Sequence, residues 1–170
     1  MYKLEGMSVE LLNKNHHRES FDCGNVYLNR YFKEQAGQEA KKKLAATFVL
    51  STNSPNSIVG YYTLSSFSIK AEDLPLALSK KFPRYPLLPA TLIGRLAVNQ
   101  VFHGKGYGGF LLIDALKRAL VSAEQIGSIA VLVDAKDDKA KAFYQHFQFI
   151  PFVDASHKLF LPIATIQHYF

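Results

Sequence analysis

The stretch GRLAVNQVFHGKGYGGFLL, residues 94–112, decides the fold, because the rest of the chain can be arranged around it. It begins with apolar, β-favouring residues, passes through a glycine-rich segment and enters an apolar-periodic run, which predicts a strand, a loop and a helix. Glycines allow positive φ angles, and the first amides of a helix have no partner within it. Lys105 adds a full positive charge to the partial charge of the helix dipole. The stretch therefore predicts a binding site for a phosphate or diphosphate group.

Three kinds of phosphate-binding loop compete for these glycines. A P-loop requires four residues between its first glycine and Gly-Lys-Ser/Thr, and here Gly104-Lys105 is followed by Gly106, which excludes it. Gly104, Gly106 and Gly109 match the dinucleotide-binding pattern G-x-G-x-x-G, with Asp134 at the end of a later apolar strand. That fold needs several more βα units, and only about 35 residues follow Asp134. A turn without a ligand is also disfavoured, because four glycines in six residues weaken a helix start.

The third kind of loop fits the spacing. The pattern His103-x-x-Gly106-x-Gly108, after a β-favouring run, resembles the acetyl-CoA loop of the GNAT superfamily of N-acetyltransferases, Gln/Arg-x-x-Gly-x-Gly/Ala. His103 departs from the usual Gln or Arg, but it can still donate a hydrogen bond. The resemblance implies that acetyl-CoA is the co-substrate. The residues implied to bind it are Leu96, Ala97, Val98, His103, Gly104, Lys105, Gly106, Tyr107, Gly108, Gly109 and Phe143.

Composition indicates a single globular domain over residues 1–170. Apolar residues make up 48% of the chain and charged residues 20%, which is ordinary for a protein with a proper core. The formal net charge of +6 favours a polyanionic partner, although many basic proteins of this size have none. Cys23 is the only cysteine and the histidines lack ligand spacing, so neither a disulfide nor a metal site is expected, and His16 and His17 are expected at the surface. Without an apolar run of signal or membrane-span length, we expect a cytoplasmic location and no membrane contact.

Hydrophobic periodicity and turn residues predict strands and helices in mixed order. Strands are predicted at 7–12, 44–52, 57–69, 90–98, 128–133, 149–153 and 158–161. Helices are predicted at 25–42 with Ser20 or Asp22 as N-cap, at 74–81, from the glycine loop to 125, and after Asp137 or Asp138. A hairpin loop is expected at 53–56 and a tail at 163–170. This order is the one expected of the GNAT fold, so the resemblance implies an α+β protein with a mixed, mostly antiparallel sheet, one parallel crossover and flanking helices.

Four further segments resemble one branch of this superfamily. They are Phe21-Asp22-Cys23-Gly24, Gly60-Tyr61-Tyr62-Thr63-Leu64, Gly94-Arg95-Leu96-Ala97-Val98 and Ala142-Phe143-Tyr144. Their order and spacing are similar to those of the acetyltransferase toxins of bacterial type II toxin–antitoxin pairs, which acetylate the amino group of aminoacyl-tRNA and stop translation. The resemblance implies aminoacyl-tRNA as a partner, a small DNA-binding antitoxin as another, and a homodimer.

The same resemblance assigns roles in the chemistry. The amide of Leu96 or Ala97 would donate to the acetyl carbonyl and stabilise the oxyanion, and Tyr144 would be the general acid for the leaving sulfur. A plain core role for Tyr144 stays open, since it lies on the apolar face of its predicted helix with Phe143. No carboxylate is marked out as a general base, which favours an α-amino acceptor with a pKa of about 7.7–8.0 over a lysine near 10.4.

Basic residues in several segments are candidate contacts for tRNA phosphates. They are Arg95, Lys80, Lys81, Arg84, Arg30, Lys33, Lys41, Lys42 and Lys43. The lysine cluster can equally be a solvated helix end, where cations are favoured by the dipole. Two alternatives to tRNA acetylation remain at this point: an acetyltransferase acting on a protein N-terminus or small amine, and a non-catalytic acyl-CoA-binding or RNA-binding module.

Overall fold

The computed structural model describes residues 6–53 and 57–170, and the strands in this part of the chain form one seven-stranded sheet. The strands are β1 (Met7–Leu11), β2 (Ala46–Thr52), β3 (Ile58–Lys70), β4 (Leu87–Val98), β5 (Ala130–Asp134), β6 (Ile150–Pro151) and β7 (Lys158–Pro162). The helices are α1 (Val26–Arg30), α2 (Ala36–Lys41), α3 (Leu76–Ser79), α4 (Tyr107–Gln125), α5 (Asp138–His146) and α6 (Ile163–Gln167). The predicted mixed order of strands and helices is confirmed.

The strand order is β1-β2-β3-β4-β5-β7-β6. The pairs β1/β2, β2/β3, β5/β7 and β6/β7 are antiparallel. β4 and β5 are parallel, with Thr91 beside Val131 and Ile93 beside Val133. Because parallel neighbours need a crossover connection, the chain between them runs through α4. The α+β class, with a mixed, mostly antiparallel sheet and one parallel crossover, is therefore confirmed.

The chain divides into two compact units, each with a core of its own. The first unit comprises Met1–Ser65 and Gly94–Ala115, and the second comprises Ser66–Ile93 and Leu116–Phe170. The core of the first contains Phe21, Tyr31, Phe32, Ala36, Val49, Ile58, Tyr61 and Ala97. The core of the second contains Ile69, Leu74, Leu88, Ala90, Ala130, Leu132, Phe152 and Phe160. The glycine loop therefore belongs to the first unit and Tyr144 to the second.

The N-cap of the first helix differs from the prediction. Asn25, rather than Ser20 or Asp22, caps α1, because its side-chain oxygen accepts hydrogen bonds from two amides of the first turn. Asp22 instead accepts from the Gly24 amide and from the Asn29 side chain, each at 2.9 Å. These bonds favour the charged carboxylate and lower the pKa of Asp22. Asp22 thus closes the turn before the helix.

The helix predicted at 25–42 is also interrupted. The segment Tyr31–Gln35 is π-helical, and an amide five residues further along donates to the Tyr31 carbonyl. Tyr31 and Phe32 are buried, whereas Val26 and Tyr27 are 64% and 78% exposed. The apolar side chains of Val26 and Tyr27 therefore lie outside the core, although residues 26, 27, 28, 31 and 32 are spaced as one apolar stripe of a regular helix. The π turn shifts the helical register of the residues that follow it, compared with a regular α-helix.

Two other expectations need correction. The predicted tail forms α6, because Ile163 and Ile166 are buried and give it an apolar face. His16 is buried rather than at the surface, with only 9% of its area exposed. Its Nδ1 accepts from the Asn13 amide and its Nε2 lies 3.0 Å from a Glu10 carboxylate oxygen. The histidine therefore joins β1 to the turn that follows it.

The boundaries of the shorter elements also differ. Helix α3 is shorter than the predicted 74–81, with Pro75 before its first residue, and β6 is shorter than the predicted 149–153. Residues 54–56 of the predicted hairpin loop lie outside the described residues. Within residues 6–53 and 57–170, no helix is long and apolar enough to cross a membrane. The same ranges contain no group of three or more His, Cys, Asp or Glu side chains that could hold a metal ion.

Candidate active site

The glycine loop lies between the end of β4 and the start of α4. Asn99 caps a single 3₁₀ turn after β4, and the chain then passes through Gly104 and Gly106 with φ angles of +75° and +83°. A Cβ atom at either glycine would meet no heavy atom within 4 Å, so the left-handed conformation, not crowding, requires glycine there. The first helical hydrogen bond after the loop joins the Phe110 amide to the Gly106 carbonyl at 3.1 Å.

The amides of the first helical turn precede that first bond. Those of Tyr107, Gly108 and Gly109 have no acceptor within α4, because the ladder begins only at the next residue. Two of these three residues lack side chains, which leaves the backbone accessible. A diphosphate group fits this loop for two reasons. There is open space around Gly104 and Gly106, and the amides without an acceptor within α4 lie at the positive end of the helix dipole. Lys105 is exposed at this loop and can add its charge.

The side chain of His103 makes a hydrogen bond that holds the start of the loop against the end of β4. Its Nε2 lies 2.7 Å from the Val98 carbonyl oxygen, and since a carbonyl only accepts, Nε2 carries the hydrogen and donates. The ring therefore ties the beginning of the loop to the last residue of β4. Histidine therefore has a structural contact of its own at the position where the GNAT pattern has Gln or Arg. The Nε2 atom of His103 thus stabilises the conformation of the loop through its hydrogen bond to Val98.

Gly60 is a site residue whose role the sequence reasoning missed. A Cβ atom there would lie 2.5 Å from the Ala97 carbonyl oxygen and 2.8 Å from a Leu111 side-chain carbon, so only glycine fits. The Asn99 amide also donates to the Val59 carbonyl at 2.8 Å. Close contact with β3 thus fixes the part of β4 that carries Ala97. A glycine within a predicted strand was the available signal for such a close approach.

Arg95 packs against an aromatic ring. Its guanidinium carbon lies 3.5 Å from the Tyr31 ring centroid, and the arginine is half-buried. The Tyr31 hydroxyl donates to Glu39, and burial together with this carboxylate raises the pKa of Tyr31 to about 12. Tyr31 stacks on Tyr61, which in turn stacks on Phe32 at 4.3 Å. Arg95 is therefore fixed to the first core at the strand position next to Leu96.

The opposite end of this aromatic stack also carries an arginine. Arg18 lies 5.9 Å from the Phe32 ring centroid and donates to the Phe32 carbonyl at 2.6 Å. The carbonyl is in the π-helical segment, where the hydrogen-bond ladder is displaced. The two arginines thus close a column of three aromatic rings, and the column links α1 and its π turn to β3 and β4.

Tyr144 lies on α5 in the second unit. Asp137 caps this helix by accepting from the Ala140 amide at 2.7 Å, which confirms one of the two predicted caps. Tyr144 is 8% exposed, and its ring lies 5.2 Å from Phe143 and 5.5 Å from Phe149. Burial raises the pKa of Tyr144 to about 12. The ring is thus a core aromatic as well as the carrier of a hydroxyl that stays protonated, as a general acid must.

The predicted site residues are divided between the two units. The first unit holds the β4 segment, the loop from His103 to Gly109 and the stacked Arg95, while Phe143 and Tyr144 belong to the second. The other basic candidates are exposed and divide in the same way. Those in the first unit are Arg30, Lys33, Lys41, Lys42 and Lys43, and those in the second are Lys80, Lys81 and Arg84.

No protein-family model matches the chain. Two similar proteins are nevertheless found, each matched over at least three quarters of its length. The chain is 34% identical over 167 residues to the probable toxin TacT of Sinorhizobium fredii (strain NBRC 101917 / NGR234), covering 94% of this chain and 92% of the relative. It is 36% identical over 130 residues to the tRNA-acetylating toxin of Mycobacterium tuberculosis (strain ATCC 25618 / H37Rv), covering 76% of each chain.

Solved structures of the same kind share the fold. AtaT complexed with acetyl-methionyl-tRNAfMet is 28% identical with a TM-score of 0.90, covering 96% of this chain and 99% of AtaT. A tyrosine-to-phenylalanine mutant of AtaT, bound to the C-terminus of the antitoxin AtaR and acetyl-CoA, is 25% identical with a TM-score of 0.82, covering 97% and 98%. Both likenesses extend over the glycine loop and both units. The chain therefore belongs to the GNAT-type acetyltransferase toxins of toxin–antitoxin systems.

Proposed function

We propose that this protein is an acetyl-CoA-dependent N-acetyltransferase that acetylates the α-amino group of aminoacyl-tRNA and blocks translation as the toxin of a type II toxin–antitoxin pair. The observation that carries the proposal is the loop between β4 and α4, where two left-handed glycines precede three helical amides without a helical acceptor. Its relatives include a tRNA-acetylating toxin. Residues 1–170 act as one acetyltransferase domain in this proposal.

Acetyl-CoA supplies an acetyl thioester, and the chain supplies its binding groups. The loop amides and Lys105 would hold the diphosphate, with His103 keeping the loop in shape through Val98. The amide of Leu96 or Ala97 would donate to the acetyl oxygen as negative charge develops on it. Fixed donors of this kind act strongly because they need no reorganisation during the reaction. Gly60 contributes by holding the Ala97 position against β3.

Tyr144 would donate a hydrogen bond to the sulfur as the thiol leaves. Its pKa of about 12 exceeds the value of about 8.5 for an ordinary thiol, so complete proton transfer from Tyr144 alone is uphill by about 5 kcal/mol. The hydroxyl therefore contributes mainly as a positioned donor. Overall, the amine loses one proton and the sulfur gains one, while the C–S bond breaks and a C–N bond forms. A related AtaT protein was solved as a tyrosine-to-phenylalanine mutant with acetyl-CoA, which supports a tyrosine at the chemistry.

An α-amino acceptor suits this site. An amine with a pKa of about 7.7–8.0 is partly neutral near pH 7 and can attack without a strong general base. Exposed basic residues in both units, with Arg95, are the proposed contacts for tRNA phosphates. AtaT, which resembles this chain, was solved with an acetylated methionyl-tRNA. A protein N-terminus or a small amine is the alternative acceptor with the same chemistry.

The partners follow from the family. A small antitoxin is proposed to neutralise this toxin, as AtaT was solved with the C-terminus of its antitoxin. We also propose that the antitoxin binds DNA, that two copies of this chain pair, and that the protein acts in the cytoplasm, where charged tRNA is present. The net charge of +6 agrees with a polyanionic substrate.

The proposal is tested by incubating the protein with labelled acetyl-CoA and total charged tRNA. We expect the label on the amino acid of aminoacyl-tRNA and none on deacylated tRNA. Tyr144→Phe should lower the rate at least 100-fold, because positioned acid catalysis contributes about 10²- to 10⁴-fold. Tyr85→Phe is the matched control, since Tyr85 is 61% exposed. Label only on peptides or small amines would refute the tRNA substrate, and full activity of Tyr144→Phe would remove Tyr144 from the mechanism.

A further inference from the structure

The side chain of Tyr62 joins the sheet to helix α4 within the first unit. Tyr62 lies on β3, is completely buried, and stacks on Phe48 of β2 with 5.2 Å between the ring centroids. Its hydroxyl donates a hydrogen bond to a carboxylate oxygen of Asp114, a half-buried residue two turns after the start of α4. The proposed chemistry uses neither side chain.

An apolar contact joins the same strand to the same helix. A Cβ atom on Gly60 would lie 2.8 Å from a side-chain carbon of Leu111, so this leucine packs directly against β3. Gly60 and Tyr62 share one face of the strand because they are two residues apart. Leu111 and Asp114 share one face of the helix because they are three apart. The strand therefore contacts the first turns of α4 through an apolar contact and a polar one.

The hydrogen bond adds direction to this packing. Apolar contacts are non-directional, whereas a hydrogen bond weakens steeply when its atoms leave their alignment. The bond is also stronger than one between neutral groups, because its acceptor is a carboxylate. Asp114 lies about 9 Å along the helix axis from Gly108, so the orientation fixed at Asp114 extends to the amides that face the glycine loop.

The strand β3 also contacts the other part of the proposed site. A Cβ atom on Gly60 would lie 2.5 Å from the Ala97 carbonyl oxygen, so Gly60 touches β4 as well as α4. The amide of Ala97 is one of the two proposed donors to the acetyl oxygen, and the first turn of α4 is proposed to bind the diphosphate. One strand thus positions the groups for both ends of acetyl-CoA.

We propose that Tyr62 and Asp114 are positioning residues for acetyl-CoA. Their hydrogen bond orients the first turns of α4 so that the amides of Tyr107, Gly108 and Gly109 face the diphosphate. The inference rests on the proposed function and deepens it, because it names the residues that orient the diphosphate site. Neither side chain needs to touch the cofactor in order to act in this way.

The test removes the hydroxyl and keeps the ring. We expect Tyr62→Phe to weaken acetyl-CoA binding about tenfold in calorimetry, because a displacement of about 1 Å in a preorganised site is costly. S-acetylpantetheine carries the same thioester without a diphosphate. Its kcat/KM with charged tRNA should stay within about twofold of the wild-type value, because the donors on β4 are unchanged.

Tyr61→Phe is the matched control. Tyr61 is also completely buried on β3, and its hydroxyl donates to the Leu28 carbonyl at 2.8 Å. As the neighbour of Tyr62 it points to the opposite face of the strand, away from α4. Its substitution removes a buried hydrogen bond and lowers stability, but acetyl-CoA binding should match that of the wild-type protein.

Variants of the acceptor test the same bond from the helix. Asp114→Asn keeps a side-chain oxygen that can accept from Tyr62, whereas Asp114→Leu keeps none. We therefore expect the asparagine variant to bind acetyl-CoA more tightly than the leucine variant. In Tyr62→Phe/Asp114→Leu, the loss of affinity should be smaller than the product of the two single losses, since both substitutions remove one bond.

The outcomes separate the inference from the function on which it rests. If the wild-type protein does not bind acetyl-CoA, the proposed function is wrong. If Tyr62→Phe binds as tightly as the wild type, or Tyr61→Phe loses as much affinity, only the positioning role is wrong. An equal loss with S-acetylpantetheine also contradicts that role. Thermal unfolding shows whether each variant folds, and if Tyr62→Phe does not, the comparison of Asp114→Asn with Asp114→Leu decides.

Discussion

Arg95 is held against the ring of Tyr31, so this residue stabilises the fold as well as being a proposed tRNA contact. A partly desolvated cation–π contact contributes about 1–2 kcal/mol. We therefore expect Arg95→Ala to lower the free energy of unfolding by about 1–2 kcal/mol, measured by urea denaturation. In Arg95→Ala/Tyr31→Leu, the loss should be smaller than the sum of the single losses, since the two groups share one contact.

The control is Arg84→Ala, because Arg84 is exposed and should cost no more than about 0.5 kcal/mol. Purely additive losses in the double variant would show that the stack contributes nothing to stability. The sequence identified Arg95 by its charge and its place beside Leu96, but not this contact. Tyr31 precedes it by 64 positions, and only the contact between the π-helical segment and β4 brings the two side chains together.

At the scale of elements, the local sequence predicts the structure of the glycine loop and α4 more accurately than that of the other segments. Glycine spacing and apolar periodicity gave the strand, the loop and the helix to residue 125, because each depends on neighbouring residues. The π turn and the close approach at Gly60 were not predicted as such. Both features depend on contacts with other helices and strands, and the neighbouring residues in the sequence do not reveal such contacts.

The left-handed glycines of the loop lead to a prediction. Gly106→Ala places a Cβ on a residue with φ of +83°, which costs about 1–2 kcal/mol in the left-handed region although no atom blocks it. If the loop relaxes to avoid this strain, its amides turn away from the diphosphate. We expect acetyl-CoA binding, measured by calorimetry, to weaken at least tenfold.

Gly127→Ala is the matched control for this experiment. Gly127 has open space for a Cβ and no positive φ, so alanine there should leave acetyl-CoA binding unchanged. Alanine at such a position stabilises a protein by about 0.4–1 kcal/mol. If Gly106→Ala binds acetyl-CoA as well as the wild-type protein does, the conformation at Gly106 is not needed for the cofactor.

At the scale of the whole molecule, three of the buried tyrosines, Tyr31, Tyr61 and Tyr144, make stability depend on alkaline pH. Burial raises the pKa of Tyr31 and of Tyr144 to about 12 and that of Tyr61 further. The unfolded chain releases these protons near pH 10 while the folded chain retains them. Stability from these groups is therefore fully present below about pH 10 and is lost as pH rises through about 12. The expected loss is about 1.4 kcal/mol per pH unit for each tyrosine.

This expectation is checked by urea unfolding between pH 9 and about 11.5. Tyr144→Phe removes one of these tyrosine hydroxyls, so the free energy of unfolding of this variant should fall less steeply above pH 10 than that of the wild-type protein. Tyr85→Phe should keep the wild-type slope, because Tyr85 is 61% exposed. Equal slopes for Tyr144→Phe and the wild type would mean that Tyr144 titrates alike in the folded and unfolded chains.

The topology was predictable mainly because separate motifs fell in the order of a known superfamily. The strand order places β7 between β5 and β6, and alternation within each strand does not reveal such an arrangement. The assignment of the glycine loop and Tyr144 to different units is likewise a property of long-range packing.

The π turn at Tyr31–Gln35 makes the length of this helical region critical. Deleting one residue there would restore a uniform ladder and rotate everything after it by about 100°. Ala36 would leave the core, and the hydrogen bond from the Arg18 guanidinium to the Phe32 carbonyl would be disturbed. Insertions and deletions are usually tolerated in surface loops, but here a change of one residue in length would displace buried side chains.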